Sequence, residues 1–370
     1  MKQNISLKMN LFTPTDKDQP VLDLSMGISD YLNKNGSSVF KSLRQSKLRE
    51  LVGVRDSKSE GELKIEIRKF LKVEDKINNQ NIVFGFGSYS ILERLAWKLL
   101  DKGLMVGEFP QFRFFPLEYL LAGGKYQGFW KKDFSFPKKE ILTAIDKRKN
   151  LKVVYINNPN NPTGQVFERK EILAVIKRAG RKNISVIVDE VYGDLLPGEN
   201  SFAGLVNRFS NLLVLRSFSK IFGLQNLRLG YLMAGRKIIT RYQNICNWNE
   251  INNLGAILGL LVLRDKSYLK VLKKECFELK RGTVQIIKRA GFEIIRTDPG
   301  VPVIFITAKE GIDLETYFQQ RNIKVDYSGR SYQVLEKTFP RNYVRIRIPA
   351  TKKDLGILKQ KICLPSIKVS

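Results

Sequence analysis

Short apolar runs that alternate with helix-like segments constrain the fold of this chain more than any other feature of its sequence. Each run has four to seven residues, the length of a strand, and the stretches between the runs carry the apolar spacing of helices. Strands that alternate with helices pair in parallel and are covered on both faces. The sequence therefore predicts an α/β fold with a mixed, mostly parallel seven-stranded sheet between helices. The runs are 81–85, 104–109, 124–130, 151–156, 184–188, 212–215 and 230–234.

The pattern changes near residue 245, where long helical segments replace the short alternation. Before this point, helices are predicted at 60–71, 88–100 and 168–181. After it, helices are predicted at 251–263, 266–290 and 352–361, and strands at 292–296, 303–307 and 343–348. These later elements indicate a smaller α+β domain at the carboxyl end.

Composition excludes several kinds of site. A chain of 370 residues is long enough for one large α/β unit and a smaller lobe. It contains no histidine, which excludes Cys/His zinc sites and histidine-activated nucleophiles, so acid–base chemistry falls to lysine, tyrosine or carboxylates. The three cysteines, Cys246, Cys276 and Cys363, are too few and too scattered for a disulfide framework. We expect no metal in the site.

Neither the amino terminus nor the apolar segments predict export or membrane insertion. Residues 1–11 carry lysines but no continuous apolar core, and the longest apolar run, 254–263, is too short to span a bilayer. That run fits a buried helix or a subunit interface better. We therefore expect a cytoplasmic protein without a membrane partner.

The chain carries 64 basic and 36 acidic residues, a formal net charge of +28, which invites a nucleic-acid interpretation. Its basic clusters, however, are short, lack interleaved aromatic residues and fall on polar helix faces or turns. We interpret the charge as solvated basic surface that attracts polyanions weakly and in a salt-dependent way. No specific nucleic-acid partner is expected.

The segment Ser-Phe-Ser-Lys-Ile-Phe-Gly at 217–223 contains a candidate nucleophile, Lys220. A lysine between apolar side chains is desolvated, which favours the neutral amine that forms a Schiff base. The segment follows the strand-like run 211–216, and open α/β sheets build their sites at the carboxyl ends of strands. A surface lysine on a loop is the alternative interpretation, since most lysines are exposed.

Three further segments lie at the ends of predicted strands. Asn-Asn-Pro-Asn-Asn-Pro-Thr-Gly occupies 157–164, Asp-Glu-Val-Tyr occupies 189–192, and Gly-Phe-Gly-Ser-Tyr occupies 85–89; Arg228 lies eight positions after Lys220. In this order and spacing the segments resemble fold-type I pyridoxal-phosphate enzymes, specifically class I and II aminotransferases and their histidinol-phosphate aminotransferase branch. The resemblance spans nearly the whole chain.

The resemblance implies pyridoxal 5′-phosphate as the cofactor and assigns residues to its phosphate. A helix that starts at Ser88 after glycines presents free backbone amides and a favourable dipole to an anion, so Ser88 and Tyr89 form the phosphate cup. The matching family positions add Ser217, Ser219 and Arg228, whose guanidinium is a planar charged fork. Each serine, taken alone, is as typical of a turn or a helix cap as of a phosphate-binding site.

Four other positions match residues that hold the cofactor ring in the resembling family. Asp189 keeps the pyridine nitrogen protonated, and Asn161 and Tyr192 donate to the phenolic oxygen of the ring. Phe112 stacks on the ring, with a place in the hydrophobic core as the alternative. Lys220, Asp189 and Tyr192 are thus the predicted catalytic residues.

Arg345 matches the family arginine that binds the α-carboxylate of the substrate or, in the histidinol-phosphate branch, its phosphate. Arg347 lies two positions further on and would face the same side of a strand, so either arginine could serve. A solvated arginine on an edge strand is the alternative.

Three departures from the family pattern leave the substrate open. Val54 stands where the family usually has a tyrosine that reaches the cofactor phosphate of the neighbouring subunit. Asp326 stands where the histidinol-phosphate branch tends to carry an arginine, and Pro349 replaces a common glycine. Arg330 or Lys324 could supply the missing cation, and the sequence does not decide between them.

The resemblance implies transfer of an amino group between an amino acid or amino phosphate ester and a 2-oxo acid, with histidinol phosphate as one candidate donor. Pyridoxal-phosphate decarboxylases or lyases, such as threonine-phosphate decarboxylase, share nearly all of these residues and form the first alternative. A non-catalytic regulator that carries an aminotransferase-like module is the second.

The resemblance also implies a domain order and an assembly. An amino-terminal arm, 1–40, packs with the small domain; a large cofactor-binding domain covers 41–244, and the small carboxyl-terminal domain covers 245–370. We expect the active site at a homodimer interface, with 254–263 as part of the seam.

Overall fold

The computed structural model describes residues 21–25, 57–246, 250–326 and 340–362. Its largest element is a seven-stranded sheet. The strands are β1 (Ile82–Phe86), β2 (Leu104–Phe109), β3 (Lys125–Trp130), β4 (Leu151–Asn157), β5 (Ser185–Asp189), β6 (Leu212–Ser217) and β7 (Leu229–Ala234). Their order in the sheet is β1-β7-β6-β5-β4-β2-β3, and β7 alone runs antiparallel to its two neighbours. The prediction of a mixed, mostly parallel sheet is confirmed.

The central strands are buried on both faces, which explains their continuous apolar sequences. On β5, Val186 and Val188 belong to one hydrophobic core, whereas Ile187 between them belongs to a second core on the opposite face. Strand β3 differs because it lies at the edge of the sheet and is largely half-exposed, with both of its end residues exposed.

The described helices cover the sheet and build the carboxyl-terminal part of the chain. They are α1 (Ser57–Leu71), α2 (Gly87–Arg94), α3 (Phe114–Leu121), α4 (Lys138–Lys147), α5 (Arg169–Gly180), α6 (Arg236–Gln243), α7 (Asn253–Arg264), α8 (Lys266–Arg289), α9 (Leu314–Gln319) and α10 (Lys352–Ile362). The helix predicted at 88–100 is α-helical only to Arg94 and continues as a π-helical turn to Leu99. Helix α3 escaped prediction because nearly all of its residues are apolar, so its sequence has no helical periodicity.

A second, three-stranded antiparallel sheet follows α8 and has the order β10-β9-β8. Its strands are β8 (Glu293–Ile294), β9 (Val303–Thr307) and β10 (Tyr343–Arg347). The strand predicted at 292–296 is thus only two residues long. Near the amino terminus, Leu22–Asp23 pairs in parallel with Ile323–Lys324. Most of the proposed arm lies outside the described residues, and the domain boundaries stay predictions.

The apolar run 254–263 forms most of α7, and most of its residues are buried within the chain, with Leu254, Ile257 and Leu261 half-buried. A Cβ atom at Gly259 would lie 3.0 Å from Leu229 of β7 and 3.3 Å from Leu63 of α1, so this helix packs directly between them. Most residues of this helix are buried, which agrees with the interpretation as a buried helix, and its place in the seam of a dimer stays a prediction. Within the described ranges, no helix is long and apolar enough to cross a bilayer.

The carboxyl ends of β4, β5 and β6 lie side by side and carry polar residues. Strand β4 ends at Asn157, β5 at Asp189 and β6 at Ser217, and the register pairs Asn157 with Asp189. The antiparallel strand β7 begins at the same edge, directly after Arg228. The segments 157–164, 189–192 and 217–223, in which the sequence predicted site residues, therefore lie at one edge of the sheet.

Candidate active site

A cavity of about 240 Å³ lies at this edge of the large sheet. Nine of the residues predicted from the sequence line it, and Phe114, Asn157 and Val191, which were not predicted as site residues, line it as well. Ser217 and Arg345 are not in its lining and reach it only through their hydrogen-bonded neighbours. The lining consists of Ser88, Tyr89, Phe112, Phe114, Asn157, Asn161, Asp189, Val191, Tyr192, Ser219, Lys220 and Arg228.

Lys220 lies on the loop after β6, and its neighbours in sequence anchor that loop in the protein interior. Phe218, Ile221 and Phe222 are buried in one hydrophobic core. The Lys220 side chain lines the cavity, and its Nζ lies 5.8 Å from the centroid of the Tyr192 ring. Lys220 is therefore a half-buried residue of the cavity wall and not a surface lysine on a loop.

The surroundings of Lys220 lower the pKa of its amine to about 8. Burial is the largest cause because it disfavours the ammonium form, and the positive charges of Arg345 and Arg228 act in the same direction, against the Asp189 carboxylate. Near pH 8 about half of the Lys220 amine is thus neutral, whereas an ordinary lysine with a pKa of about 10.4 is only about 0.4% neutral.

Asp189 ends β5 and is almost completely buried, with 2% of its surface exposed. Its Oδ2 accepts a hydrogen bond from the Tyr155 hydroxyl at 2.7 Å, and its Oδ1 accepts from the Val191 N–H at 3.1 Å. Burial raises the pKa of Asp189 to about 6, although these two hydrogen bonds and the charge of Lys220 oppose the shift. The carboxylate is therefore mostly ionised at neutral pH.

Tyr155 and Asn157 contribute to the site without having been predicted as site residues. Tyr155 is a polar residue inside an apolar strand, and a buried hydroxyl of this kind needs a partner, which here is Asp189. The Asn157 side chain accepts from the Asn161 N–H at 2.8 Å and donates to the Asp189 carbonyl at 3.4 Å. The sequence held two signals for these residues: Tyr155 is a tyrosine within an otherwise apolar strand, and Asn157 is the first residue of the asparagine-rich motif.

The loop that follows β4 owes its shape to its own asparagine side chains. Asn160 Oδ1 accepts from the Thr163 N–H at 3.1 Å and from the Thr163 hydroxyl at 2.7 Å, and Asn158 Oδ1 accepts from the Phe167 N–H at 2.8 Å. Of the four asparagines in this loop, only Asn157 and Asn161 line the cavity. The other two hold the loop in the conformation that presents Asn161.

Glu108 supports the same loop from β2. This buried carboxyl accepts from the Asn157 N–H at 2.8 Å and from Asn160 Nδ2 at 3.3 Å. Burial raises the pKa of Glu108 to about 8, against these hydrogen bonds, so the group is largely protonated at neutral pH.

The amino end of α2 and Arg228 form a candidate anion site. A Cβ atom at Gly87, where φ is +75°, would lie 2.7 Å from Arg228 Nη2, and one at Gly230 would lie 2.4 Å from the Ser88 nitrogen. Only glycines allow the backbone and the guanidinium to approach so closely. Ser219 also lines the cavity, and the Ser217 hydroxyl oxygen accepts a hydrogen bond from the Ser219 N–H at 3.1 Å.

The Tyr89 hydroxyl points away from an anion in this site. It donates to the carboxylate of Glu118, a fully buried residue that also accepts from Trp97 Nε1 at 2.8 Å. The Tyr89 ring lies edge-on to Phe114, with the ring centroids 6.0 Å apart. Tyr89 therefore offers its ring and its backbone to the cavity, and its hydroxyl serves to fix the ring.

Arg345 lies on β10 and is 7% exposed, so it is not a solvated edge-strand arginine. Its Nη1 donates to Asn161 Oδ1 at 2.9 Å, and its Nη2 forms an ion pair with Asp326 at 2.8 Å. Arg347 is half-buried and donates from Nη2 to the Asp23 carbonyl at 2.9 Å. Arg345 thus contacts Asn161, a residue of the cavity wall.

The departures from the family pattern have different outcomes in the structure. Val54 and Arg330 lie outside the described residues. Lys324 is exposed on a two-residue strand, whereas Asp326 pairs with Arg345 at the site.

The residues present fit pyridoxal phosphate. The cofactor requires an amine that is partly neutral near physiological pH, which Lys220 supplies. Its ring nitrogen requires a buried carboxylate, which Asp189 supplies. The phosphate requires backbone amides and a cation, which the start of α2 and Arg228 can supply. Phe112 is half-buried in the lining, where it can contact a bound ring.

Comparisons with known proteins agree with the fold and the motifs. The family model "Aminotransferase class I and II" matches residues 19–353. The histidinol-phosphate aminotransferase of Thermoanaerobacter sp. (strain X514) is 30% identical to the chain over 255 residues, which are 68% of this chain and 69% of that protein.

Two solved structures share the fold. Histidinol-phosphate aminotransferase from Sinorhizobium meliloti, in complex with pyridoxal-5′-phosphate, has a TM-score of 0.76 at 17% identity, covering 96% of each chain. L-threonine-O-3-phosphate decarboxylase from Porphyromonas gingivalis has a TM-score of 0.72 at 18% identity, covering 92% of this chain and 98% of that one. The fold is therefore common to proteins of both names.

The lowered pKa of Lys220 predicts its chemical reactivity in the cofactor-free protein. Acylation of Lys220 should rise with pH through a midpoint near 8, because only the neutral amine is nucleophilic. Peptide-resolved mass spectrometry after brief labelling measures the midpoint for each lysine. Exposed Lys170, whose pKa is raised by its hydrogen bond to Glu168, is the internal control and should show a higher midpoint than Lys220.

Replacing Arg345 by glutamine removes a positive charge and should move the Lys220 midpoint to higher pH. A Lys220 midpoint above pH 10 in the parent protein would show that the amine is not desolvated.

Proposed function

Because the chain belongs to the class I and II aminotransferase family, we propose that it moves an amino group between an amino acid or amino phosphate ester and a 2-oxo acid. The cofactor of this family is pyridoxal phosphate. The observation that carries the proposal is the convergence of Lys220, Asp189 and Arg228 on one cavity. Histidinol phosphate is a candidate donor because relatives in the family carry that name.

Lys220 is the residue that we assign to covalent attachment and proton transfer. When bound, pyridoxal phosphate supplies an electrophilic carbon for an amine and a ring that withdraws electrons from the substrate. Near pH 8 the Lys220 amine is neutral about half of the time, so it can both attack a carbonyl carbon and carry a proton. We assign to it the removal of the proton from the α-carbon of the substrate.

Asp189 holds the ring nitrogen of the cofactor in its protonated form. Its carboxylate is ionised at neutral pH and buried, so it interacts strongly with a nearby cationic N–H. The hydroxyl of Tyr155 and the N–H of Val191 fix the direction of its two oxygens. Tyr155 is therefore a positioning residue for Asp189.

Asn161 and Tyr192 are assigned to the phenolic oxygen of the cofactor. Asn161 is oriented by the hydrogen bond of its side-chain oxygen with Arg345, which leaves its amide nitrogen as the donor. Burial raises the pKa of Tyr192, which keeps its hydroxyl protonated as a donor. Phe112 supplies a face for the ring.

Ser88, Ser219 and Arg228 are assigned to the phosphate group, together with the amides at the start of α2. Ser217 supports Ser219 through the Ser219 N–H and is a positioning residue.

Decarboxylation is the competing reaction, because a structure named as a decarboxylase shares the fold. The two reactions differ in which bond of the α-carbon lies perpendicular to the cofactor ring. An amino-donor screen that records the absorbance of the bound cofactor and the release of carbon dioxide separates them. Transfer to a 2-oxo acid without carbon dioxide supports the proposal, and carbon dioxide as the main product contradicts it.

The cellular compartment and the assembly are proposals as well. We propose a cytoplasmic enzyme that acts on small molecules as a homodimer, supported by the family to which the chain belongs.

Asp189→Asn should retain bound cofactor and lose activity. We expect the single-turnover rate to fall by at least about 100-fold, since an amide cannot stabilise a protonated ring nitrogen in a buried site. Asp146→Asn, which removes an exposed carboxylate that pairs with Arg178, controls for the change in charge. A rate within about threefold of the parent, or ~0.7 kcal/mol on the barrier, would show that Asp189 is not the partner of the ring.

Light scattering tests the homodimer. At moderate salt, which screens the net charge of +28, the particle should have twice the chain mass of 42.5 kDa. Assembly and specific activity should fall together on dilution if the site is shared. A monomer of full activity would refute the shared site.

A further inference from the structure

Asp326 lies between two guanidinium groups next to the cavity. Its Oδ2 is 2.8 Å from Arg345 Nη2 and 3.3 Å from Arg113 Nη1. Arg345 in turn donates to Asn161, which lines the cavity. The Asp326 carboxylate thus pairs with the arginine that matches the substrate-binding arginine of the family.

The backbone fixes the position of this carboxylate. The Asp326 N–H donates to the Arg345 carbonyl at 3.1 Å, and the Arg345 N–H donates to the Asp326 carbonyl at 3.0 Å, forming an isolated antiparallel bridge. Asp326 and Arg345 are therefore directly opposite each other across the bridge, which brings their side chains close enough to form the ion pair.

Asp326 is ionised, and its negative charge acts on groups of the site. Burial acts to raise the pKa of Asp326, but the positive charges of Arg113 and Arg345 outweigh it and hold the pKa below its usual range. Only 13% of the side chain is exposed, so solvent screens the charge weakly. The same carboxylate also acts on the pKa of Lys220 and of Tyr192.

The charges of this group match one carboxylate of a substrate. Two guanidinium groups and one carboxylate carry a net charge of +1, which a single substrate carboxylate neutralises. A phosphate dianion or a second carboxylate would bring a further negative charge close to the Asp326 carboxylate. Like charges at short distance in a weakly screened site oppose binding.

Aromatic residues of the cavity wall lie next to Arg113, one of the two arginines that pair with Asp326. The Arg113 guanidinium lies 4.8 Å from the centroid of the Phe114 ring, and Phe114 lies 5.4 Å from Phe112 and 6.0 Å from Tyr89, centroid to centroid. These three rings line the cavity. A substrate side chain in this region would contact aromatic surface, and Arg113 links that surface to the carboxylate of Asp326.

We propose that Asp326 determines specificity by selecting amino donors that carry one carboxylate and an uncharged, apolar side chain. Phosphate esters and dicarboxylic amino acids are excluded by the same carboxylate. This inference rests on the proposed function, since it assumes that Arg345 binds the substrate. It narrows the donor class that the family alone leaves open.

The first test uses the loaded enzyme and three donors: phenylalanine, glutamate and histidinol phosphate. The single-turnover change in cofactor absorbance should be at least about tenfold faster with phenylalanine than with glutamate or histidinol phosphate at equal concentration. In Asp326→Asn that preference should shrink by at least about tenfold. Faster reaction of the parent enzyme with glutamate or histidinol phosphate would overturn the proposal.

The second test measures binding without turnover. Calorimetry on the loaded enzyme compares 3-phenylpropionate, a monoanion, with succinate and inorganic phosphate, which are dianions. Asp326→Asn should raise the affinity for the dianions relative to the monoanion by at least about tenfold. Glu168→Gln, an exposed charge change, should leave the ratio unaltered. An unchanged ratio in Asp326→Asn would overturn the proposal.

The two tests separate the two levels of inference. Absence of any absorbance change with every amino donor would refute the proposed transamination, and the calorimetric ratio would still judge Asp326. If Asp326→Asn does not fold, the donor preference and the anion preference of the parent enzyme decide, and a preference for dianions contradicts the proposal.

Discussion

The site depends on the parallel pairing of β4, β5 and β6. Because these strands run in one direction, their carboxyl ends meet at one edge, and the register sets Asn157 beside Asp189. The Asp189 carbonyl accepts the Asn158 N–H at 2.9 Å, so the same residue that carries the ring carboxylate also starts the asparagine loop. The pairing of β4 with β5 thereby fixes the distance between Asp189 and the loop that carries Asn161.

A buried ion network holds the ends of β5 and β6 directly behind the site. Arg216 Nε pairs with Glu190 at 2.9 Å and Arg216 Nη1 pairs with Asp194 at 2.8 Å, and all three side chains are buried. Burying these charges costs desolvation energy, and removing one partner of such a pair costs about 3–5 kcal/mol. Since Glu190 follows Asp189 and Arg216 lies four residues before Lys220, the network restrains both reactive residues.

The sequence predicted those features of the fold and of the site that depend on residues close together along the chain. The large sheet and its strands follow from the apolar runs, and the grouping of Lys220, Asp189 and Asn161 follows from motifs at strand ends together with the family resemblance. The partners that complete the site were not predicted, because they join residues far apart in sequence: Tyr155 with Asp189, and Glu118 with Tyr89. Helix α3 was missed for a different reason, since an apolar helix buried on every side lacks periodicity.

Reduction of the cofactor-loaded protein with borohydride, followed by peptide mapping, tests most directly whether Lys220 is the nucleophile. Reduction makes the link between the cofactor and its amine permanent, so mass spectrometry locates the modified lysine. We predict a single modified peptide that contains Lys220, and none in Lys220→Ala, which should still fold because a cavity-lining lysine adds little to core packing. Modification of another lysine, or no modification at saturating cofactor, would contradict the assignment.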